Sequence, residues 1–438
     1  MVITSLPGMD RDKPAPGPAF LKGYLETKGF KIKVIDGNQL DTLDNIHKEI
    51  SQYKFKWLGI SVFSYLQKDD ALKLGEKYDN VLFGGSGVDV FWPRKHFVVG
   101  EGEYALVEFL NGNLDYPGIN GNPPQQIENI EDLPPPDYSD VMCKHDYDTA
   151  IISGSRGCVR KCTFCDVMTI WPKYRWKSGK KIADEMHEVA EKTGLKKIGF
   201  SDSLVNGSMK HFRDMCKELA SRDKKIQWNG QFIVRGAKTF SSEDFDNLAN
   251  SGCNGLTMGI ESGSEKVRDH MRKKFSNEDI DYFMKNLGDR KIKMKMLLIV
   301  GYPTETEEDF EQLVEFVRKH RFERAGVFNY SLEPDTPAAK LPAQVPEEVM
   351  LQRRDALMQV QQENAFAWCQ SKVGQKLPVI IDRRVPDQQQ AWVGRTYGDA
   401  PDVDGLVFVT AVSQELHAGR VVEAEIVGTH DYDLIAVS

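Results

Sequence analysis

The sequence predicts an α/β protein in three parts: a parallel, doubly wound N-terminal sheet, a partial barrel of β/α units, and a small all-β barrel of the OB type. Three observations predict it. Apolar strand-like runs alternate with helical runs from the first residue to about residue 335, the pattern of parallel sheets covered by helices. One proline-rich stretch, NGNPPQQIENIEDLPPPDYSD, interrupts that alternation. Its prolines continue neither a helix nor a ladder. After a long amphipathic run the pattern changes to short β segments with turns between them.

The first part is expected over residues 1–125. VITSLP, FKIKVID, WLGISVF and VLFGG read as strands, and FLKGYLETKG as a helix ending at Gly29. Residues 126–147 are the proline-rich linker. Residues 148–335 repeat the alternation. TAIISGS, KKIGFSD, IQWNGQF, GLTMGIE and KMKMLLIVG are strands, and GKKIADEMHEVAEKTG and SSEDFDNLANSG are helices. The second of these helices starts at Ser241 or Ser242 with acidic residues behind, as an N-cap requires. Five or six such units make a partial (β/α)6 barrel, whose working end lies at the strand C-termini. Residues 336–374 form a connecting helix, and residues 375–438 the small barrel, with strands KLPVIID, QAWVGRTYG, GLVFVTA and RVVEAEIVGT.

Composition narrows the function. With 438 residues the chain is too long for one ordinary domain, and 40% hydrophobic with 28% charged residues is ordinary globular composition. A net charge of −8 argues against a basic nucleic-acid-binding face. The opening MVITSLPGMD lacks a basic region followed by an apolar one, and no run of about 18 apolar residues occurs, so neither secretion nor a membrane span is expected. Seven cysteines is an odd count, and three of them fall within eight residues. That suits a metal site in a reducing compartment, and the expected location is the cytoplasm.

SRGCVRKCTFCD spaces Cys158, Cys162 and Cys165 as C-x3-C-x2-C. Thiolates are the soft ligands that iron–sulfur clusters take. A three-cysteine zinc knuckle is the alternative; it wants a fourth ligand nearby, and neither His145 nor His187 fits well. The motif and the strands after it resemble the radical SAM superfamily over residues 148–335. The resemblance implies a [4Fe–4S] cluster on the three cysteines, with one iron open to S-adenosylmethionine. Reductive cleavage then yields a 5′-deoxyadenosyl radical, with an electron donor of flavodoxin or ferredoxin type. It places Phe164 against the adenine. In GLTMGIESG it places Glu261 and Ser262 near the ribose and methionyl parts, and in MLLIVGYPTETEEDF the backbone of Val300 and Gly301 beside the adenine. Asp202, Gln231 and Arg235 end strands that would face the same cavity.

The N-terminal third, through AFLKGYLETKGFKIKVID, WLGISVF, VLFGGSG and VVGEGEYALVEFL, resembles the Rossmann-like cobalamin-binding domain that precedes many radical SAM cores. That resemblance makes cobalamin a possible cofactor. Gly84 and Gly85 would let the backbone approach its tail. The family's D-x-H-x-x-G loop reads here Asp36-Gly37-Asn38-Gln39-Leu40-Asp41, without the cobalt-ligating histidine.

From FNYSLEPDTPAAKLPAQVPEEVMLQRRDALMQVQQ through WVGRTYGDAPDVDGLVFV to EIVGTHDYDL, residues 325–438 resemble the ribosomal protein S12 methylthiotransferase family with its TRAM domain. Residues 376–438 carry five basic residues (Lys376, Arg383, Arg384, Arg395, Arg420). Against them stand ten acidic ones (Asp382, Asp387, Asp399, Asp402, Asp404, Glu415, Glu423, Glu425, Asp431, Asp433), a net −5. Such a surface repels phosphate and attracts a basic protein, which agrees with the ribosomal protein S12 that the resemblance implies as partner; RNA is the less favoured one. Asp399, Asp402 and Asp404 are expected in a turn, projecting into solvent. The family's second cluster, on three N-terminal cysteines, has no counterpart, because no cysteine precedes Cys143. The implied reaction is methylthio or methyl transfer to a macromolecule. The alternative is a cobalamin-type enzyme acting on a small molecule or peptide, with the TRAM part as a docking module.

Overall fold

The computed structural model describes residues 1–8, 13–142, 147–386, 388, 390–399, 405–411 and 416–438. They fall into two compact units, residues 1–258 with 278–295, and residues 259–277 with 296–438.

The N-terminal sheet contains β1 (Val2–Ser5), β2 (Lys33–Ile35), β3 (Leu58–Ser61), β4 (Val81–Gly84) and β5 (Phe97–Val98), in the order β2-β1-β3-β4-β5. Every pairing is parallel. Helices α1 (Pro16–Thr27), α2 (Leu43–Ile50), α3 (Lys68–Gly75) and α4 (Gly102–Leu110) cover it. All four residues of β1 are buried, because a parallel sheet is covered on both faces. Val2, Ile60 and Phe83 pack with Ile46 and Ile50 in one cluster, and Ile3 and Leu82 with Leu25 and Phe109 in another. The two-residue β5 is absent from the sequence reading.

The proline-rich stretch is no loose tether. Ile127, Ile130 and Leu133 are buried with Tyr24. Lys22 holds Asp140 at 2.8 Å, and the Tyr138 hydroxyl donates to the Ile151 carbonyl at 2.8 Å.

The central sheet runs β13-β12-β11-β10-β9-β6. Its strands are β6 (Ala150–Ile152), β9 (Lys197–Phe200), β10 (Gln227–Phe232), β11 (Cys253–Glu261), β12 (Lys293–Val300) and β13 (Phe328–Asn329). Between β6 and β9 sits a small antiparallel ribbon of β7 (Ser155–Arg156) and β8 (Arg175–Trp176). The helices are α5 (Val167–Ile170), α6 (Gly179–Thr193), α7 (Met209–Ser221), α8 (Ser242–Asn250), α9 (Glu265–His270), α10 (Asn277–Asp289) and α11 (Glu307–His320). The strands form a parallel half-barrel. Residues of β10 alternate: Trp228, Gly230 and Phe232 are buried, while Gln227 and Gln231 are exposed, so one face meets helices and the other stays open. Phe212, Phe232, Phe240, Phe245 and Phe283 stack tilted or edge-to-face behind it. Ser241 is the cap of α8, in a reciprocal capping box with Asp244.

In the second unit, α12 (Glu347–Ser371) buries one stripe that includes Leu357, Val360, Ala365 and Cys369. It leads into a closed barrel of β14 (Lys376–Arg384), β15 (Ala391–Arg395), β16 (Val407–Thr410), β17 (Val421–His430) and β18 (Asp433–Val437). Val379, Ile381, Val407, Ile426 and Leu434 fill it. The closing strand β18 was not read from sequence, because HDYDLIAV opens with polar turn residues.

Asp399 departs from expectation. Its side chain is only 2% exposed and pairs with Arg324 at 2.5 Å. Its other oxygen accepts from the Thr396 amide at 3.1 Å and hydroxyl at 2.6 Å. A carboxylate three residues after a threonine closes the turn on itself, and the arginine neutralises it. Asp402 and Asp404 lie outside the described residues. Among the described residues no helix is long and apolar enough to cross a membrane.

Candidate cluster and cofactor site

Cys158, Cys162 and Cys165 lie on the loop between β7 and β8, directly after the first strand of the half-barrel. The ribbon pinches this loop at its base, with Ser155 opposite Trp176 and Arg156 opposite Arg175. Gly157 takes φ +83°, and a Cβ there would stand 2.5 Å from the Lys173 carbonyl, so the loop leaves the ribbon only through a glycine. All three cysteines are half-buried. The Arg160 amide points at the Cys158 sulfur at 3.4 Å, and the Cys165 amide donates to the Cys162 carbonyl at 3.3 Å. An amide aimed at a thiolate is one of the levers that tune a cluster.

Three soft donors of one kind on one loop fit a cluster that leaves one iron open. Among the described residues no group of three or more His, Cys, Asp or Glu gathers as a cage for a single ion. A four-iron cluster needs no such convergence, since each thiolate binds its own iron. Phe164 is half-buried between the second and third cysteines.

Asp202 reaches the root of this loop. It accepts from the Gly154 amide at 2.8 Å and the Ser155 hydroxyl at 2.6 Å. Burial pushes its carboxyl up to about 7, against those two donors. Arg235 donates to the carbonyls of Asn206 at 2.8 Å and Gly207 at 3.0 Å. Burial, and then Arg160 beside it, depress its pKa. Tyr174, at the far end of the loop, is pushed up to about 12 by burial. Gln231 is exposed on the open face of β10. The loop, Asp202, Gln231 and Arg235 thus belong to the C-terminal ends of β6, β9 and β10.

The second unit carries the other expected residues. Glu261 has φ +67°, a conformation costly for a side-chain-bearing residue and common at functional sites. Its carboxylate pairs with Lys273 at 2.7 Å, and both are largely buried. A Cβ on Gly259 would stand 2.2 Å from the Glu261 Oε1, so glycine makes room for that pair. Ser262 is fully buried; its hydroxyl accepts from the Ser264 amide at 3.1 Å. Its carbonyl accepts from the buried Arg268 at 2.5 Å. Val300 is fully buried, and the Gly301 amide donates to Glu305 at 2.9 Å. Arg353 of α12 holds Glu305 at 2.8 Å. Burial raises the Glu305 pKa, with the Gly301 amide and Arg353 opposing.

The sequence reading missed Lys273, Arg268, Arg353 and the arginines flanking the cysteine loop. Arg156 stands inside the quoted motif SRGCVRKCTFCD, and its charge was the available signal.

The cobalamin-like loop fits its group less well. Asp36 is buried and consumed internally, accepting from the Ser5 hydroxyl at 3.1 Å, the Asn38 amide at 3.0 Å and the Tyr147 hydroxyl at 2.5 Å. Gly85 is required by the chain itself, since a Cβ would stand 2.4 Å from the Val62 carbonyl. The loop carries no imidazole for cobalt.

The model of the radical SAM superfamily matches residues 152–317, and that of the TRAM domain residues 373–438. In fold the chain is similar to the radical S-adenosylmethionine methyltransferase TsrM from Kitasatospora setae. The TM-score is 0.62 at 18% identity, over 77% of this chain and 74% of that one. It is also similar to the cobalamin-dependent S-adenosylmethionine radical enzyme OxsB, with TM-score 0.60 at 17% identity, over 82% and 56%. Half-barrel, cysteine loop and closed C-terminal barrel together define a radical SAM protein with a TRAM domain.

By sequence it is similar to ribosomal protein uS12 methylthiotransferases RimO. Identity is 34% to that of Lachnoclostridium phytofermentans, over 65% of this chain and 66% of the relative. It is 32% to that of Desulfitobacterium hafniense, over 65% of each. These two alignments span just under two thirds of the relatives' length. With the enzyme of Clostridioides difficile, identity is 30% over 95% of this chain and 94% of the relative. The chain belongs to this ribosomal protein uS12 methylthiotransferase family of transferases.

Proposed function

We propose that the chain is a radical S-adenosylmethionine transferase that modifies a basic protein of the ribosomal S12 class by methyl or methylthio transfer. The observation that carries the reading is the pinched loop of Cys158, Cys162 and Cys165, three soft donors on one loop. These three would hold a [4Fe–4S] cluster. Bound there, the cluster supplies the electron, taken from a flavodoxin or ferredoxin type donor, that cleaves S-adenosylmethionine to methionine and a 5′-deoxyadenosyl radical. The chain's own part is to bind and orient. By resemblance, Phe164, Asp202, Gln231, Arg235, Glu261, Ser262, Val300 and Gly301 are the proposed cofactor contacts. The Glu261–Lys273 pair would present a fixed, half-neutralised carboxylate to the cofactor's polar parts. The acidic balance of residues 376–438 supports a basic protein partner over RNA. Methylthio transfer would need a sulfur source other than N-terminal cysteine thiolates, which the sequence lacks before Cys143.

Anaerobic reconstitution tests the core of this. It should give about four irons per chain, and 5′-deoxyadenosine on adding dithionite and S-adenosylmethionine. Cys158→Ala, Cys162→Ala and Cys165→Ala should each abolish both. About eight irons would sink the single-cluster reading. Binding of the full chain to S12 and to a tRNA pool at two salt concentrations tests the partner; tighter binding to tRNA would overturn it.

A second reading adds cobalamin, favoured by the parallel N-terminal sheet and by Phe63, Leu66 and Phe91 exposed beyond β3 and β4. Binding would be weak and without a protein ligand to cobalt. Nitrogen coupling from a protein imidazole in the EPR spectrum of bound cob(II)alamin would contradict it.

A further inference from the structure

The cysteine loop is held from outside itself. Arg156 stands at its entrance and Arg175 at its exit, opposite one another in the ribbon. Both guanidiniums grip one carboxylate, Glu101, which precedes α4 in the N-terminal part of the chain. Glu101 Oε1 accepts from Arg156 at 2.5 Å and Oε2 from Arg175 at 2.7 Å. Oε2 also accepts from the Ile127 amide at 2.5 Å, and Arg175 donates to the Ile127 carbonyl at 2.5 Å. Glu103 takes the other terminal nitrogen of Arg156. The Trp171 ring, inside the loop, lies 5.7 Å from each guanidinium carbon. The Glu101 side chain is 2% exposed and that of Arg175 6%. Nearby, Lys177 and Glu185 form a separate buried pair at 2.7 Å.

A buried ion pair is poor evidence for stability, because desolvation offsets most of the attraction. Its geometry is the informative part. A carboxylate shared by two planar forks fixes the direction of both. Here that fixes the separation and twist of the two ends from which Cys158, Cys162 and Cys165 hang.

We propose that Glu101 is a positioning residue of the thiolate site, closing the loop at both roots so that the three sulfurs keep the spacing a cluster requires. This rests on the reading that the loop holds a cluster. It makes the N-terminal part of the chain a component of that site rather than an attachment to it.

The test uses the full chain, reconstituted anaerobically with iron and sulfide. Glu101→Gln keeps the size but puts an amide N–H against an arginine; Glu101→Ala removes the tie. Glu185→Gln is the matched control, a buried carboxylate in the same region that touches neither root. The readouts are the rate of iron loss to a chelator, the EPR line shape of the reduced protein with and without S-adenosylmethionine, and the melting temperature. Both Glu101 variants should lose iron about tenfold faster or more, as for other supports of metal ligands, with a broadened EPR line. Glu185→Gln should lower the melting temperature and leave iron loss and line shape as in wild type. If Glu101→Ala does not fold, Glu101→Gln decides. Wild-type iron loss and line shape in a folded Glu101 variant would overturn the proposal, and so would equally fast iron loss in Glu185→Gln. A wild-type chain that takes up no iron would bring down the functional reading and this proposal together; iron uptake with unaffected variants would bring down this proposal alone.

Discussion

The loop of Cys158, Cys162 and Cys165 and the turn at Glu261 are both held by buried arginines and carboxylates, but their partners come from different distances along the chain. Arg156 and Arg175 reach back to Glu101. The Glu261 turn closes within residues 261–277: Lys273 pairs with Glu261, and Arg268 caps the carbonyls of Ser262 and Phe275 and the side chain of Asn277. Both arrangements fix an otherwise irregular backbone. The near one closes a short loop. The far one joins residues 55 and 74 positions apart, so it couples two parts of the chain at extra loop-closure cost.

Three substitutions sharpen that contrast. Arg268→Ala should be the most damaging, because it leaves two buried acceptors and a half-buried one without their shared donor. The expected loss is ~3–5 kcal/mol in denaturant unfolding, and a loss below about 1 kcal/mol would show that the turn does not depend on it. Asp309→Asn should cost less. Asp309 joins α9 to α11, taking Lys266 at 2.9 Å, the Ser264 hydroxyl at 2.8 Å and the Thr306 cap. Burial opposes its charge, but these partners outweigh it and hold its carboxyl down at about 2. From an ordinary value near 4, that depression corresponds to about 2.5 kcal/mol. Because the folded value is the lower one, the stabilisation is complete above about pH 4 and fades as pH falls towards 2. Asp309→Asn should remove that acid-side slope; a slope unchanged in the variant would assign it elsewhere. Ser241→Ala sets the baseline for a purely local anchor. It removes the α8 cap and should cost about 1 kcal/mol, read as a small shift of the unfolding midpoint. A cost as large as that of Arg268→Ala would erase the distinction.

What the sequence made legible follows the same division. Features set by short-range chemistry were readable: the cysteine spacing, the Ser241 cap, and the strand of GLTMGIE ending in Glu261. β11 is two residues longer than that reading at its start. Features set by tertiary pairing were not. Nothing local marks Glu101 as the partner of two arginines, and Asp399 looked solvated because acidic residues in turns usually are. Its neutralising partner, Arg324, lies far back in the chain. Likewise Asp36 read as the remnant of a cofactor loop, whereas its two oxygens bind Ser5, Asn38 and Tyr147.

The C-terminal barrel closes through β18, which pairs in parallel with β16 and antiparallel with β17. Until Asp433–Val437 is in place, those two strands have open edges, and Phe408 and Val427, already exposed in the finished barrel, would lie beside unsatisfied backbone. During synthesis such uncovered edges are prone to sticking to other chains. A nonsense mutation at Tyr432 would remove the closing stave while sparing the half-barrel, and its consequence should be insoluble protein rather than a shortened, working enzyme.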